Sequence, residues 1–75
     1  MINEVIDYIS AYKGLPSENI SKETHLIRDL YMESLDLLQL VSVMEEDFKI
    51  EFNVEDMPVV LTVEEIASYI DRQTS

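Results

Sequence analysis

Apolar residues recur at helical spacing over the first thirteen residues of the chain. This spacing predicts a helix from about Asn3 to Lys13, because residues three and four apart lie on one face of a helix. The apolar stripe of this helix consists of Ile2, Val5, Ile6, Ile9 and Tyr12. Asn3 can cap its start, Gly14 can take the left-handed conformation after its end, and Pro16 prevents it from resuming.

The apolar pattern weakens from Leu15 to Glu33, where serine, threonine and asparagine side chains compete with helical hydrogen bonds. A connection of this length is uncommon in a compact domain unless it has a function. Four apolar residues should attach it to the core, namely Ile20, Leu26, Ile27 and Leu30. We expect a short helical turn near Leu26 to Leu30.

A second helix is predicted from about Ser34 to Asp47, again from the spacing of apolar residues. The predicted buried stripe consists of Leu35, Leu38, Val41 and Met44, widened by Leu40, with Phe48 just beyond. Leu37 then falls on the outward side of the helix, between Asp36 and Leu38, and its side chain is expected to be exposed.

The remainder of the chain predicts two further helices of unequal length. Asn53 can cap a short third helix, which Pro58 limits to about one turn. The last helix begins with the capping box Thr62-Val63-Glu64-Glu65. We therefore predict one all-α domain over residues 1–75, a small antiparallel helical bundle of three main helices plus one short third helix.

Composition and charge narrow the possible partners and location. The 75 residues include no cysteine, no segment resembling a signal peptide and no apolar run near the roughly 18 residues that span a bilayer. We expect a cytoplasmic monomer. Sixteen acids against five bases give a net charge of −11, which disfavours nucleic acids and anionic membranes as partners. The same charge favours proteins with basic docking patches.

The sequence offers little for catalysis or metal binding. His25 is the one histidine and its spacing from Ser34 indicates no catalytic triad, so His25 is expected to be a loop or capping residue. Glu45, Glu46 and Asp47 are consecutive, so they splay around a helix instead of converging on a metal. We therefore predict neither an enzyme nor a metal site.

Ser34 is the one residue whose surroundings indicate chemistry. A serine at the start of a helix is most often a cap. Here Glu33 precedes it, Leu35 and Asp36 follow it, and it lies at the end of the long connection. Its hydroxyl should therefore be accessible to a modifying enzyme, so that a cap and a covalent attachment point are both possible interpretations.

The segment Glu33-Ser34-Leu35-Asp36 belongs to an ordered set of motifs. Leu26-Ile27-Arg28-Asp29-Leu30 precedes it, Glu45-Glu46-Asp47-Phe48 follows it, and Thr62-Val63 and Tyr69-Ile70 lie in the last helix. Together with the length and acidity of the chain, these motifs resemble the acyl carrier protein family, whose hallmark is Asp-Ser-Leu at the start of the second helix. The resemblance covers nearly the whole chain.

The resemblance implies that a phosphopantetheinyl transferase attaches 4′-phosphopantetheine from coenzyme A to Ser34. The thiol of this arm would carry acyl groups as thioesters to acyl-transferring or condensing enzymes of fatty-acid, polyketide or related specialised biosynthesis. By position, the partner-docking acids would be Glu33, Asp36, Glu45, Glu46 and Asp47. The outward-facing Leu37 is expected to add an apolar docking contact, and the core between the helices would shelter the acyl chain.

The chain departs from the family pattern at surfaces that partners would contact. Glu33 replaces aspartate, Tyr31 replaces the usual glycine, and Gln39 stands where an acidic residue is usual. Ser42 stands where a partner-contacting methionine is common. These departures indicate a specialised carrier. Two alternatives stay open, namely an aminoacyl or peptidyl carrier and a carrier-like fold that acts as an unmodified interaction module.

Overall fold

Three α-helices form the described part of the computed structural model, which covers residues 1–53, 55 and 61–74. These helices are α1 (Ile2–Lys13), α2 (Ser34–Phe48) and α3 (Val63–Thr74), and a short 3-10 helix covers Ser17–Asn19. The all-α prediction is confirmed, because no strand occurs in these ranges. The predicted short helix after Asn53 falls mostly on residues outside the described ones. None of the described helices is both long and apolar enough to cross a membrane.

The two ends of α1 show which local signals decide its length. Gly14 ends the helix in the left-handed conformation, with φ of 69°, and its N–H donates to the Ser10 carbonyl oxygen at 2.9 Å. This confirms the predicted end of the helix. The predicted cap at Asn3 is wrong, because α1 already begins at Ile2, whose side chain packs against the core.

The connection between α1 and α2 is ordered by backbone hydrogen bonds to the start of α3. The Leu26 N–H donates to the Leu61 carbonyl oxygen at 2.8 Å, and the Val63 N–H donates to the Thr24 carbonyl oxygen at 3.2 Å. The buried side chains of the connection are Ile20, Leu26 and Met32. The segment that leads to Ser34 therefore has a fixed course over the core.

The helical turn predicted near Leu26 to Leu30 is present as a run of hydrogen-bonded turns. The Asp29 N–H donates to the His25 carbonyl oxygen at 2.8 Å. The His25 Nδ1 accepts from the N–H groups of Ile27 and Arg28, at 3.2 and 3.0 Å. His25 is thus the capping residue of this turn, as the sequence predicts.

The start of α3 has the predicted capping box. The Glu65 N–H donates to Thr62 Oγ1 at 3.2 Å, and the Thr62 N–H donates to Glu65 Oε1 at 2.9 Å. The Leu61 N–H also donates to Glu65 Oε1, at 3.1 Å. Desolvation raises the pKa of Glu65, but the hydrogen bonds from Thr62 and Leu61 favour the charged carboxylate and bring its pKa below the ordinary value of 4.5.

This lowered pKa makes the stability of the fold acid-dependent. A carboxyl group with a depressed pKa in the folded state stabilises the fold above its unfolded pKa, near 4.5, and loses that contribution as the pH falls through the folded pKa. Glu65→Gln keeps an oxygen acceptor but does not titrate. We expect the variant to lose less unfolding free energy than the wild type between pH 5 and pH 3, as measured by urea unfolding. An equal loss in both would contradict this role of Glu65, and Glu64→Gln is the matched control.

All three helices and their connections contribute to one core. Helix α1 contributes Val5 and Ile9, and α3 contributes Val63, Ile66, Ala67, Tyr69 and Ile70. After α2, the Phe52 ring stacks on the Tyr69 ring with 4.6 Å between the centroids. The chain therefore passes from α2 back across the face of α3.

The buried face of α2 differs from the predicted one. Its buried side chains are Leu37, Leu40, Val41 and Met44, whereas Leu35 is 63% exposed and Leu38 is 44% exposed. The prediction that Leu37 is exposed is wrong, since its side chain is only 5% exposed. Residues 37, 40, 41, 44 and 48 complete the i, i+3, i+4, i+7, i+11 pattern of a helix, and this set packs against the core.

Candidate functional site

Ser34 is the first residue of α2, and other residues cap the helix in its place. Glu33 is the N-cap, in an extended conformation, and its N–H donates to the Asp36 carboxylate at 3.0 Å. Within the described part of the chain, no hydrogen bond engages the exposed Ser34 hydroxyl. The interpretation of Ser34 as a side-chain cap is therefore wrong, and its oxygen is available for chemistry.

Asp36 connects the start of α2 to α1. Its carboxylate accepts from the Tyr12 hydroxyl at 3.1 Å, and Gln39 Oε1 lies 2.7 Å from the same hydroxyl. One hydroxyl hydrogen can serve only one of these acceptors at a time. The Glu33 N–H and then the Tyr12 hydroxyl lower the pKa of Asp36, so this side chain carries its negative charge at neutral pH beside Ser34.

Tyr31 has the least usual backbone conformation near Ser34. Its φ of 57° lies in the left-handed region, which favours glycine and costs other residues on the order of 1 kcal/mol. Its N–H donates to the Ile27 carbonyl oxygen at 3.1 Å, and the next residue, Met32, is buried. The Tyr31 side chain is nevertheless 83% exposed. The local sequence does not signal this conformation. The one indication is that the resembled family usually has glycine at this position.

Two other leucines of α2 have the exposed side chains that the sequence analysis expected of Leu37. Leu35 and Leu38 are three residues apart, so they lie on one side of the helix, and both are exposed. Leu37 cannot make a direct docking contact while it is buried in the core. The helical spacing of apolar residues along α2 fits more than one buried face. The sequence analysis therefore assigned Leu35 and Leu38 to the core and missed their exposure.

The three acids near the end of α2 differ in what they contact. Glu45 is half-buried and accepts the Phe52 N–H at 2.7 Å. Asp47 accepts a hydrogen bond from the Tyr8 hydroxyl, and this bond is the main cause of the raised pKa of Tyr8. Glu46 is exposed, with no such bond among the described residues. Glu45 and Asp47 therefore each accept a hydrogen bond within the fold, whereas the Glu46 carboxylate is exposed to solvent.

Among the described residues, neither a triad nor a metal cluster forms around Ser34. The His25 Nδ1 accepts two backbone hydrogen bonds, whereas a triad would need that nitrogen to donate to a carboxylate. Across the residues that the structure describes, no three potential metal ligands lie together. The chemistry that the arrangement supports is the modification of an exposed serine hydroxyl.

Comparison with known proteins identifies the family. A family profile described as "Phosphopantetheine attachment site" matches residues 3–70. The chain belongs to the acyl carrier protein family. Its members carry acyl groups and are not catalysts, and their phosphopantetheine group is covalently attached.

Two individual acyl carrier proteins are similar to this chain over most of their length. The chain is 36% identical to an acyl carrier protein of Bdellovibrio bacteriovorus over 93% of this chain and 90% of that protein. It is 34% identical to an acyl carrier protein of Syntrophobacter fumaroxidans over 89% of this chain and 83% of that protein.

A solved structure shows the same acyl carrier fold. It is the solution structure of an Anaplasma phagocytophilum protein that was assigned provisionally as an acyl carrier protein. It superimposes with a TM-score of 0.86 at 30% identity, over 99% of this chain and 88% of that chain. The predicted family resemblance is therefore confirmed.

The residues at the start of α2 fit the covalent group of the acyl carrier family. A phosphodiester needs an accessible hydroxyl, and the exposed Ser34 oxygen is free of hydrogen bonds within the described part of the chain. The N-terminal end of a helix also favours a negatively charged phosphate group. Glu33 and Asp36 cap this end of the helix without Ser34, so modification of Ser34 would break no capping hydrogen bond.

Proposed function

We propose that Ser34 carries the 4′-phosphopantetheine arm of this acyl carrier and that the chain acts as one non-catalytic domain over residues 1–75. The observation that supports this proposal best is the exposed Ser34 hydroxyl at the first position of α2, with its capping role taken by Glu33 and Asp36. A cytoplasmic location remains a prediction from the sequence.

The proposed modification breaks the phosphoanhydride bond of coenzyme A and forms a phosphodiester at Ser34, with adenosine 3′,5′-bisphosphate as the leaving group. A phosphopantetheinyl transferase forms the bond between the Ser34 oxygen and the phosphorus of the arm, and the bond from that phosphorus to the adenosine bisphosphate part of coenzyme A breaks. The serine proton leaves with this step. The thiol at the end of the arm then binds an acyl group as a thioester. The part of this chain in the chemistry is to present the hydroxyl and to bind partner enzymes.

The docking surface that we propose combines acids with exposed apolar residues of α2. The acids are Glu33, Asp36, Glu45, Glu46 and Asp47, and the apolar contacts are Leu35 and Leu38. Between Asp29 and Asp71 the one basic residue is Lys49, so this region attracts basic surfaces. The partners are the transferase and acyl-transferring or condensing enzymes with basic docking patches. Because Asp36, Glu45 and Asp47 also bind within the chain, Glu46 is the acid whose docking role can be tested most cleanly.

Intact mass tests the attachment point. After incubation with coenzyme A and the transferase of the source organism, we expect the wild type to gain the mass of one phosphopantetheine group and Ser34→Ala to gain none. Ser42→Ala is the matched control, because Ser42 is exposed on the same helix and its hydroxyl donates to the Leu38 carbonyl oxygen of that helix, at 2.8 Å. A mass gain in Ser34→Ala, or no gain in the wild type, would contradict the proposal.

One observation favours a second function, an unmodified interaction module. The exposed Tyr31 ring lies three residues before Ser34, where it could obstruct a transferase. The mass of the protein purified from its native cell separates the two functions. A fully unmodified Ser34 there would favour the interaction module, whereas a phosphopantetheine group on Ser34 would favour the carrier.

A further inference from the structure

Tyr31 has a conformation and an exposure that the fold itself does not require. Its left-handed φ of 57° would be relaxed with glycine, which adopts this region without steric cost. Its N–H bond to Ile27 uses the backbone alone, so glycine would make it equally well. Its ring is 83% exposed and therefore gains little from packing. Strained residues of this kind are concentrated at functional sites.

The position of Tyr31 limits what can approach Ser34. Three residues of chain span at most roughly 10 Å, even when fully extended, and a tyrosine side chain covers much of that distance. The backbone around the ring is fixed, because Met32 is buried and its N–H donates to the Leu26 carbonyl oxygen at 3.1 Å. An enzyme whose active site reaches the Ser34 oxygen therefore works within roughly 10 Å of the Tyr31 backbone.

We propose that Tyr31 is a specificity-determining residue that selects which enzymes can act on Ser34. This inference rests on the proposed modification of Ser34. The transferase of the source organism would bind the Tyr31 ring in an apolar pocket, since tyrosine is among the residues that most often dominate binding energy at interfaces. A transferase that lacks this pocket would be obstructed, so the same ring favours one partner and excludes others.

The charges around Tyr31 indicate which residues would surround the proposed pocket of the transferase. Asp29 and Glu33 lie two residues to either side of Tyr31, and both are exposed. Leu35, which is 63% exposed, extends the apolar surface beyond Ser34. The complementary surface is therefore an apolar pocket with basic residues at its edge, in agreement with the net charge of −11.

Three variants at one position test the inference. Tyr31→Gly removes the ring and relaxes the backbone, Tyr31→Asn tolerates the left-handed conformation with a small side chain, and Tyr31→Phe keeps the ring. Each variant is incubated with coenzyme A and either the transferase of the source organism or a broad-specificity transferase. The measurements are kcat/KM from the rate of mass increase, and Tm.

With the transferase of the source organism, we expect kcat/KM to fall about tenfold for Tyr31→Gly and Tyr31→Asn, the change for loss of a typical interface anchor. Tyr31→Phe should stay within about twofold of the wild type, because hydrophobic contact of the ring is retained. With the broad-specificity transferase, Tyr31→Gly should be unchanged or faster. The Tm of Tyr31→Gly should equal or exceed that of the wild type.

Two results would overturn the inference. One is an equal change, or no change, of kcat/KM with both transferases when Tyr31 is replaced by glycine. The other is a lower Tm for Tyr31→Gly, which would show that the ring stabilises the fold. If neither transferase modifies the wild type or Tyr31→Gly, the proposed function itself is contradicted. Modification of both proteins at equal rates would contradict only the role of Tyr31.

Discussion

Replacing Leu37 with alanine should destabilise the fold by about 2–5 kcal/mol, the usual range for removing a buried leucine side chain from a core. The same change at Leu35 should alter the stability by no more than about 0.5 kcal/mol, as at most surface positions. The two residues lie on the same helix, but Leu37 is 5% exposed and Leu35 is 63% exposed. Leu37→Ala leaves a cavity beside its core neighbours, whereas Leu35→Ala removes a side chain that is mostly in water.

Urea unfolding followed by circular dichroism at neutral pH measures both changes. A small domain has only about 5–15 kcal/mol of stability, so Leu37→Ala can be partly unfolded before urea is added. Leu37→Met, which nearly conserves side-chain volume, should cost less than about 1.5 kcal/mol and gives a folded comparison. A larger loss for Leu35→Ala than for Leu37→Ala would mean that the opposite face of α2 is buried.

Reversing the charge of Glu46 should weaken binding of the transferase by about 30-fold at low salt. Removing one attraction and adding one repulsion between unit charges near 4 Å in water changes the binding energy by about 2 kcal/mol. Glu46 suits this test because it is exposed and no intramolecular hydrogen bond holds it among the described residues. Glu45→Lys would be a poorer test, since Glu45 accepts the Phe52 N–H and its loss would also disturb the fold.

The matched control is Asp7→Lys, which changes the net charge by the same amount at an exposed position on α1. Initial rates of modification by the transferase, measured from 20 mM to 500 mM NaCl, should fall with salt for the wild type and for Asp7→Lys. The rate for Glu46→Lys should be low at 20 mM and less sensitive to salt. Equal losses for both variants would show that only net charge matters. A wild-type rate that does not change with salt would indicate that Leu35 and Leu38 dominate docking.

Elements with local signals were predictable from the sequence. The end of α1 follows from Gly14, and the start of α3 follows from the Thr62 capping box, because each involves residues close together in the chain. The position of Ser34 at the start of α2 was predictable for the same reason. The cap itself was not, since serine is among the preferred N-cap residues and glutamate is not, yet Glu33 takes this position.

The orientation of α2 depends on contacts that the local pattern does not contain. Leu35, Leu37, Leu38 and Leu40 can supply two different apolar stripes, and packing against the rest of the chain buries Leu37 and Leu40. The conformation of Tyr31 is likewise set by neighbours, because the hydrogen bonds to Ile27 and Leu26 fix the backbone on either side of it. Backbone hydrogen bonds use groups that nearly all residue types share, so the residue types do not predict these pairings.

The backbone hydrogen bonds between the long connection and the start of α3 also couple the local unfolding of these two segments. The Leu26 and Val63 amides each donate across this junction, to Leu61 and Thr24 respectively. Local unfolding in proteins occurs in cooperative units, and amides that close one junction exchange their hydrogen through the same opening. We therefore expect the segment around Leu26, which leads to Ser34, to exchange in the same unit as the first turn of α3. The precision with which the serine is presented depends on a helix that begins 29 residues later.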